Sequence, residues 1–285
     1  MKLQDIKRIG IVGAGTMGSG IAQMSAMAGY QTTLFDIQLA ALDKAKSAIT
    51  KNLDKGIEKG KVSAEQKEAC LKNISFISKL EQLKADVIIE AVVEKLQVKI
   101  DIFSQLEQIN SESTILATNT SSIPITQIGA GLQKPERLVG MHFFNPAHIM
   151  KLVEVISGAA TAPEIAATTK ALAEKMGKKA VMAKDSPGFI VNRVARHFYV
   201  ESLKIAEENV ADFKQIDRLV ESSGFKMGPF RLMDLIGVDT NFSVTQSMFE
   251  SFYYDSKFRP SRIQQQKVDA GHHGRKSGKG FYDYN

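Results

Sequence analysis

Residues 1–157 alternate short apolar runs of β type with stretches in which apolar residues recur at helical spacing. Several of the runs are continuous, as expected for strands of a parallel sheet that helices cover on both faces. The seven candidate strands are Lys7–Val12, Gln31–Asp36, Ile74–Ile77, Asp86–Ala91, Thr114–Ala117, Arg137–Phe144 and Leu152–Ile156. Their alternation with helical segments predicts a doubly wound α/β domain.

Beyond Pro163 the pattern changes, and only the short apolar run Ala180–Met182 is compatible with a further strand. The tetrapeptide Asp185–Gly188 carries a Pro-Gly turn signal, where we place the domain boundary. Helical patterns then follow over Phe189–Glu208, Phe213–Ser222, Phe230–Leu235, Thr240–Tyr254 and Arg259–Ala270. We predict a sheet domain over residues 1–186 and a smaller all-α C-terminal domain over residues 187–285.

Composition narrows the class of protein. Among 285 residues Cys70 is the only cysteine, which excludes an internal disulfide framework. We expect a cytoplasmic protein without a membrane partner, because neither a signal peptide nor an apolar span is recognisable. No Cys/His spacing indicates a metal site. The net charge of +6 suits an acidic partner, but the basic segments lack the interleaved aromatics of RNA-binding sheets, so we expect no nucleic acid.

A glycine-rich turn follows the first strand, with the sequence Gly13-Ala14-Gly15-Thr16-Met17-Gly18. Gly13 permits the tight turn, Gly15 lets the backbone approach a pyrophosphate, and Gly18 lets the helix pack closely on the strand. The helix N-terminus then binds the anion. Asp36 ends the second strand, where it suits the ribose hydroxyls of NAD and repels the 2′-phosphate of NADP. The turn predicts a Rossmann-type domain that binds NAD; a mononucleotide, a flavin or no ligand at all are the alternatives.

His142 lies near the end of a strand, and the six-residue loop Asn145–Met150 leads to the next strand, which contains Glu154. If the two strands are neighbours, Glu154 can reach His142, fix its tautomer and stabilise the imidazolium. The second imidazole nitrogen would then act as a base. A single histidine beside aromatic residues is more often a core residue, so the pair alone leaves both interpretations open.

Polar residues at two other places in the chain are candidates for ligand binding. Asn119-Thr120-Ser121-Ser122 follow a buried strand, and in an open α/β sheet ligands bind at the carboxyl ends of the strands. The alternative is a plain loop that caps the helix beginning near Pro124. Asn192 is expected one turn into the first helix of the second domain, where it either faces a cleft or is an ordinary exposed residue.

An ordered set of motifs extends over the chain. They are Gly13–Gly18, Asn119–Ser122, His142–Pro146, Met150–Glu154, Pro187–Arg193, Met227–Pro229 and Gly274–Tyr282. Together they resemble the L-3-hydroxyacyl-CoA dehydrogenase family of fatty-acid metabolism, in particular its short bacterial members, the 3-hydroxybutyryl-CoA dehydrogenases.

The resemblance implies a reversible, NAD-dependent oxidation of (S)-3-hydroxyacyl-CoA to 3-oxoacyl-CoA. It implies that His142 is the general base and Glu154 its orienting partner. It further implies that Ser121 binds the reacting oxygen and that Asn192 contacts the substrate nearby.

For the cofactor, the resemblance places Glu90 and Lys95 near the adenosine and its ribose. Asn119 corresponds to a residue near the nicotinamide ribose, and Asn145 to one beside the nicotinamide. Related enzymes contact CoA with a serine and a lysine at the positions of Asn52 and Lys59, so the polar partner differs at Asn52.

The acyl group stays open, because the stretch Asn192–Tyr199 is also similar to 3-hydroxyadipyl-CoA dehydrogenases. Arg193 or Arg196 would bind the distal carboxylate of such a substrate. Alternatively, these arginines lie on a solvated helix face or form an ion pair that closes the domains. From another class, the same scaffold would serve as a non-catalytic NAD-binding or structural protein. Many apolar positions for so small a helical domain predict a homodimer formed through residues after Pro187.

Overall fold

A computed structural model describes residues 1–284. Residues 8–184 contain one sheet of eight strands in the order β3-β2-β1-β4-β5-β6-β7-β8. These strands are β1 (Arg8–Val12), β2 (Gln31–Phe35), β3 (Ile74–Ile77), β4 (Val87–Glu90), β5 (Ile115–Thr118), β6 (Leu138–Phe143), β7 (Leu152–Ser157) and β8 (Lys179–Lys184). All neighbouring strands are parallel except β6 and β7, which are antiparallel. All seven predicted strands are present, and the short run Ala180–Met182 belongs to β8.

Helices flank this sheet. They are α1 (Thr16–Met27), α2 (Leu39–Glu58), α3 (Ala64–Lys72), α4 (Leu96–Ile109), α5 (Ile125–Gly129) and α6 (Pro163–Lys175). Every residue of β4 and β5 is buried, which explains why these strands read as continuous apolar runs rather than alternating ones. The predicted doubly wound α/β fold is confirmed.

Backbone hydrogen bonds continue past the strand ends at the carboxyl edge of the sheet. The N–H of Gly13 donates to the carbonyl of Phe35, and the N–H of Ala91 donates to the carbonyl of Val12, each at 2.8 Å. The N–H of Asn119 donates to the carbonyl of Glu90, also at 2.8 Å. The loops after β1, β4 and β5 are therefore held side by side at this edge.

The chain divides between Ser186 and Pro187, and the second unit is helical. Its helices are α7 (Val191–Glu207), α8 (Phe213–Ser222), α9 (Pro229–Ile236), α10 (Val238–Ser251) and α11 (Arg262–Asp269). Its buried apolar cluster contains Leu203, Phe230, Met233 and Phe281. The predicted all-α C-terminal part is confirmed. Among residues 1–284, no helix is long and apolar enough to span a membrane.

Two helix boundaries differ from the predictions because of the backbone. Gly188 and Phe189 have φ angles of 72° and 48°, so α7 begins two residues later than expected and Asn192 is its second residue rather than one turn in. Tyr253 and Tyr254 have φ angles of 54° and 64°, which ends α10 before them. Apolar spacing alone does not report such changes of backbone region.

Candidate active site

The Gly13–Gly18 turn joins β1 to α1. Gly13 adopts a φ of 100°, which favours glycine. A Cβ on Gly18 would lie 1.7 Å from the carbonyl oxygen of Gly13, so only glycine permits this close packing. By contrast, a Cβ on Gly15 would meet no neighbour within 4 Å among the described residues. The turn thus leaves the N-terminus of α1 open to an anion, which fits the pyrophosphate of NAD.

Asp36 contacts this turn directly. One carboxylate oxygen accepts the N–H of Ala14 at 2.8 Å, and the other accepts the N–H of Gln38 at 2.9 Å. Each carboxylate oxygen has a second lone pair for a hydroxyl donor, so these bonds leave the acid able to bind a ribose. Thr16 and Met17, the first residues of α1, are exposed and half-buried respectively.

His142 and Glu154 face each other across the antiparallel pair β6 and β7. The strand register places them opposite one another, and His142 Nδ1 lies 2.8 Å from Glu154 Oε2. Both side chains are buried. A protonated Nδ1 at this distance donates to the carboxylate, which fixes the tautomer and stabilises the imidazolium. The contact expected from the sequence is therefore present.

Asn119 links two loops at the same edge. Its side-chain oxygen accepts the N–H of Phe143 at 2.9 Å, next to His142 on β6. Asn145 is exposed and begins the turn between β6 and β7. The loop after β5 and the end of β6 are consequently fixed relative to each other.

Glu94 organises the backbone around Ser121. Its Oε1 accepts the N–H groups of Ser121 and Ser122 at 2.9 and 3.1 Å and the Thr120 hydroxyl at 2.6 Å. The Ser122 hydroxyl donates to the same oxygen at 3.0 Å. Burial by itself would raise the pKa of Glu94. The charge of Lys99 and these hydrogen bonds outweigh it, so the pKa lies below its ordinary value and the carboxylate stays ionised.

Lys99 connects Glu94 to a second acid. The Lys99 side chain is 1% exposed, and its Nζ lies 2.7 Å from Glu90 Oε1 and 3.2 Å from Glu94 Oε2. Glu90 is fully buried and also accepts the Val92 N–H and the Thr118 hydroxyl, each at 2.7 Å. Both oxygens of Glu90 thus accept hydrogen bonds from within the protein. In this structure Glu90 stabilises the loop after β4 and the end of β5.

The sequence reasoning missed Glu94 and Lys99. A signal was present, because Lys99 lies at helical spacing with Phe103 and Leu106, which are buried on the same face of α4. A lysine within an apolar stripe requires a buried acid as its partner.

The remaining predicted site residues are Lys95, Asn52, Lys59 and Asn192. Lys95 is exposed and precedes α4. Asn52, in α2, donates to the side-chain oxygen of Gln23 at 3.3 Å, and Lys59 is exposed at the end of α2. Asn192, in the second unit, is half-buried at the start of α7.

The two arginines of α7 differ. Arg193 is exposed, and its guanidinium lies 4.9 Å from the ring centre of Phe252. Arg196 is buried, so the solvated helix face considered for it is wrong. Its Nη1 donates to the Asn241 carbonyl at 3.0 Å and to the Thr245 hydroxyl at 2.9 Å. Burial lowers the pKa of Arg196 to about 10.

Comparisons with known proteins show the family to which the chain belongs. Residues 8–186 match the family model of the 3-hydroxyacyl-CoA dehydrogenase NAD-binding domain, and residues 188–284 match that of the C-terminal domain. The chain is 45% identical over 282 residues to 3-hydroxyadipyl-CoA dehydrogenase of Escherichia coli (strain K12). This alignment covers 98% of this chain and 59% of that protein. It is 43% identical to a probable 3-hydroxybutyryl-CoA dehydrogenase of Bacillus subtilis (strain 168), with 98% of each chain covered. A crystal structure of 3-hydroxybutyryl-CoA dehydrogenase from Escherichia coli K12 matches with a TM-score of 0.96 and 45% identity, over 98% of this chain and 60% of that chain.

Proposed function

Because the chain belongs to the 3-hydroxyacyl-CoA dehydrogenase family of NAD-dependent oxidoreductases, we propose that it interconverts (S)-3-hydroxyacyl-CoA and 3-oxoacyl-CoA. The observation that carries the proposal is the buried His142–Glu154 pair, with 2.8 Å between Nδ1 and Oε2 at the carboxyl edge of the sheet. The glycine-rich turn and the loop with Ser121 lie at the same edge. A base, a cofactor-binding turn and a hydroxyl donor therefore lie at one edge of the sheet.

In the oxidation, the C3–H and O–H bonds of the substrate break and a C=O double bond forms. His142 takes the hydroxyl proton, and the carboxylate of Glu154 stabilises the resulting imidazolium. We assign to the Ser121 hydroxyl a hydrogen bond to the reacting oxygen, and to Asn192 a contact with the substrate. When bound, NAD would supply the acceptor for the hydride that leaves C3.

For the cofactor, we assign the pyrophosphate to the Gly13–Gly18 turn, including Thr16 and Met17, and the adenosine ribose to Asp36. Lys95 is exposed beside the loop after β4, which fits a role near the adenosine. Asn119 and Asn145 hold the nicotinamide end. Glu90 supports the loop after β4 directly, through the Val92 N–H, and indirectly, through Lys99.

We place the CoA contacts at Asn52 on α2 and at Lys59, which directly follows this helix. In the leading proposal for the substrate, the acyl group is 3-hydroxybutyryl. The identity of 45% to 3-hydroxyadipyl-CoA dehydrogenase favours a dicarboxylic substrate as the second candidate.

Spectrophotometric oxidation of NADH tests the proposal, with acetoacetyl-CoA and 3-oxoadipyl-CoA as substrates. We expect turnover of both and a higher kcat/KM for acetoacetyl-CoA; a higher value for 3-oxoadipyl-CoA would select the second candidate. Tight NADH binding without turnover of any 3-oxoacyl-CoA would overturn the enzymatic proposal and favour a non-catalytic NAD-binding protein.

We further propose a cytoplasmic homodimer, in which residues 1–186 bind NAD and residues 187–285 contribute Asn192 to substrate binding and form the dimer. Exposed apolar side chains of the helical unit support this, with Val210 at 71%, Leu219 at 72% and Phe225 at 56% exposure. Light scattering should give twice the chain mass of 31.3 kDa, and a mass of one chain would contradict the dimer.

A further inference from the structure

The turn of residues 145–150 joins the two strands that carry His142 and Glu154. Within it, the carbonyl of Pro146 accepts the N–H groups of Ile149 at 3.0 Å and Met150 at 2.9 Å. These bonds close the turn locally but leave the carbonyl oxygens of Ala147 and Met150 available for an outside donor.

Lys178 is that donor. Its Nζ lies 2.6 Å from the carbonyl oxygen of Ala147 and 2.7 Å from that of Met150. One ammonium group thus joins the first and the last residue of the segment Ala147–Met150. Hydrogen bonds from a charged donor are stronger than those between neutral groups.

The backbone of Lys178 is itself fixed on both sides. Gly177, with a φ of 77°, ends α6, and the N–H of Lys178 donates to the carbonyl of Ala173 at 3.0 Å. The next residue begins β8, and its N–H donates to the carbonyl of Lys151 at 2.8 Å. The side chain therefore extends toward the turn from a rigid base.

The electrostatic setting of Lys178 is unusual for a lysine. Within residues 1–284 no carboxylate pairs with Lys178, and its Nζ donates to the two carbonyl oxygens. Burial lowers the pKa of Lys178 to about 8. Burial, together with the charge of Lys178, also lowers the pKa of His148 in the turn. A half-buried cation with neutral partners is costly, which argues for a function at this position.

On its other side the turn packs against the nucleotide-binding helix. Ala147 is buried, and a Cβ on Gly20 of α1 would lie 3.1 Å from the Ala147 Cβ and 3.5 Å from the backbone nitrogen of His148. The turn is clamped between Lys178 and the helix that follows the glycine-rich turn. Asn145, at the start of the turn, is exposed.

We propose that Lys178 is a positioning residue that holds the 145–150 turn so that Asn145 meets the nicotinamide half of NAD. This inference rests on the proposed function, in which Asn145 contacts that half. It predicts a defect restricted to the nicotinamide end, because the glycine-rich turn and Asp36 bind the adenosine diphosphate end without Lys178.

The test compares Lys178→Met, Lys178→Arg and the matched control Lys179→Met, since Lys179 is an exposed lysine next in the chain. Calorimetry measures the Kd of NADH and of ADP-ribose, which lacks the nicotinamide. For Lys178→Met we expect the Kd of NADH to rise about tenfold and kcat to fall about tenfold, because two charged hydrogen bonds are lost. The Kd of ADP-ribose should not change. Lys178→Arg, which keeps a charged donor, should recover most of the loss, and Lys179→Met should behave like the wild type.

Unchanged NADH binding in Lys178→Met would overturn the proposal, and so would an equal loss for NADH and ADP-ribose. If Lys178→Met does not fold, Lys178→Gln, a neutral donor, is measured in its place with the same expectations. Failure of the proposed function is distinguishable, because wild-type protein without acyl-CoA turnover can still bind NADH and ADP-ribose, and their ratio still tests Lys178.

Discussion

Both units of this protein bury carboxylates, but they balance the charge in different ways. In the sheet unit, Glu90 and Glu94 share the ammonium group of Lys99, at 2.7 and 3.2 Å. In the helical unit, Asp217 and Asp234 are as fully buried as Glu90 and accept hydrogen bonds from backbone N–H groups and tyrosine hydroxyls.

The partners of the helical unit show what its acids do. Asp234 accepts the N–H groups of Phe281 at 2.9 Å and Tyr282 at 3.0 Å, and the Tyr284 hydroxyl at 3.0 Å. Burial and the adjacent carboxylate raise the pKa of Tyr284 to about 12, so the hydroxyl stays protonated and remains a donor. Asp234 thus fastens the C-terminal segment to α9.

The acids of the sheet unit have a different role. Glu94 remains 35% exposed on its side chain and binds the backbone of the loop that carries Ser121. Glu94 therefore orders a loop at the candidate ligand-binding edge, whereas Asp234 stabilises the packing of the C-terminal segment on α9. The comparison predicts that changes in the two units affect different measurements.

The largest effect is expected for His142→Gln, which keeps a polar side chain but removes the base. We expect kcat to fall by about a thousandfold, within the range for general acid–base catalysis. The Kd of NADH should stay near the wild-type value, because the cradle lies elsewhere on the edge. Loss of NADH binding in the folded variant would contradict the role assigned to His142.

Lys99→Met should have the next largest effect, because it leaves Glu90 buried without its cation. We expect a loss of about 3 kcal/mol in the free energy of unfolding, measured by urea denaturation, together with a lower kcat. Lys170→Met is the matched control, since its ion pair with Glu174 is on the surface. A loss no greater than in this control would show that Lys99 is not needed to offset the acids.

Asp234→Asn tests the helical unit. The amide presents an NH2 group to backbone donors, and we expect a loss of about 2 kcal/mol in the free energy of unfolding. The Kd of NADH should not change, since the affected contacts lie in the second unit. Asp283→Asn, at an exposed position, serves as control; equal stability of the two variants would remove the distinction between the units.

The smallest effect concerns pH and Glu94. Its pKa is lowered on folding, so the ionised carboxylate stabilises the fold at pH values above the unfolded pKa, and this contribution is lost as pH falls through the folded pKa. Glu94→Gln should therefore cost about 1 kcal/mol at neutral pH, allowing for its partial exposure, and progressively less below roughly pH 4. Urea denaturation across this range measures it, and a difference independent of pH would contradict the role of the charge.

Much of the fold could be predicted from the sequence because strands and helices leave local patterns. The apolar runs around Val87–Glu90 and Ile115–Thr118 predicted buried strands within one or two residues of their observed ends. The helix ends at Phe189 and Tyr254 could not be predicted, because a positive φ at a non-glycine residue has no signature in apolar spacing.

The candidate site was predictable where a motif is contiguous and not where contacts join distant segments. The glycine-rich turn is a single hexapeptide. The contacts of Glu94 with Ser121 and of Lys178 with Ala147 join residues 27 and 31 positions apart.

The sequence by itself determined the alternation of strands and helices, the glycine-rich turn with Asp36, and the presence of a histidine and a glutamate on consecutive strands. Only the tertiary structure decided that β6 and β7 run antiparallel in the register that sets His142 opposite Glu154. It also decided that Lys99 joins two acids and that Lys178 supports the turn between those strands. The physical reason is that side-chain periodicity depends on near neighbours in the chain, whereas these contacts depend on strand order, register and the ends of helices.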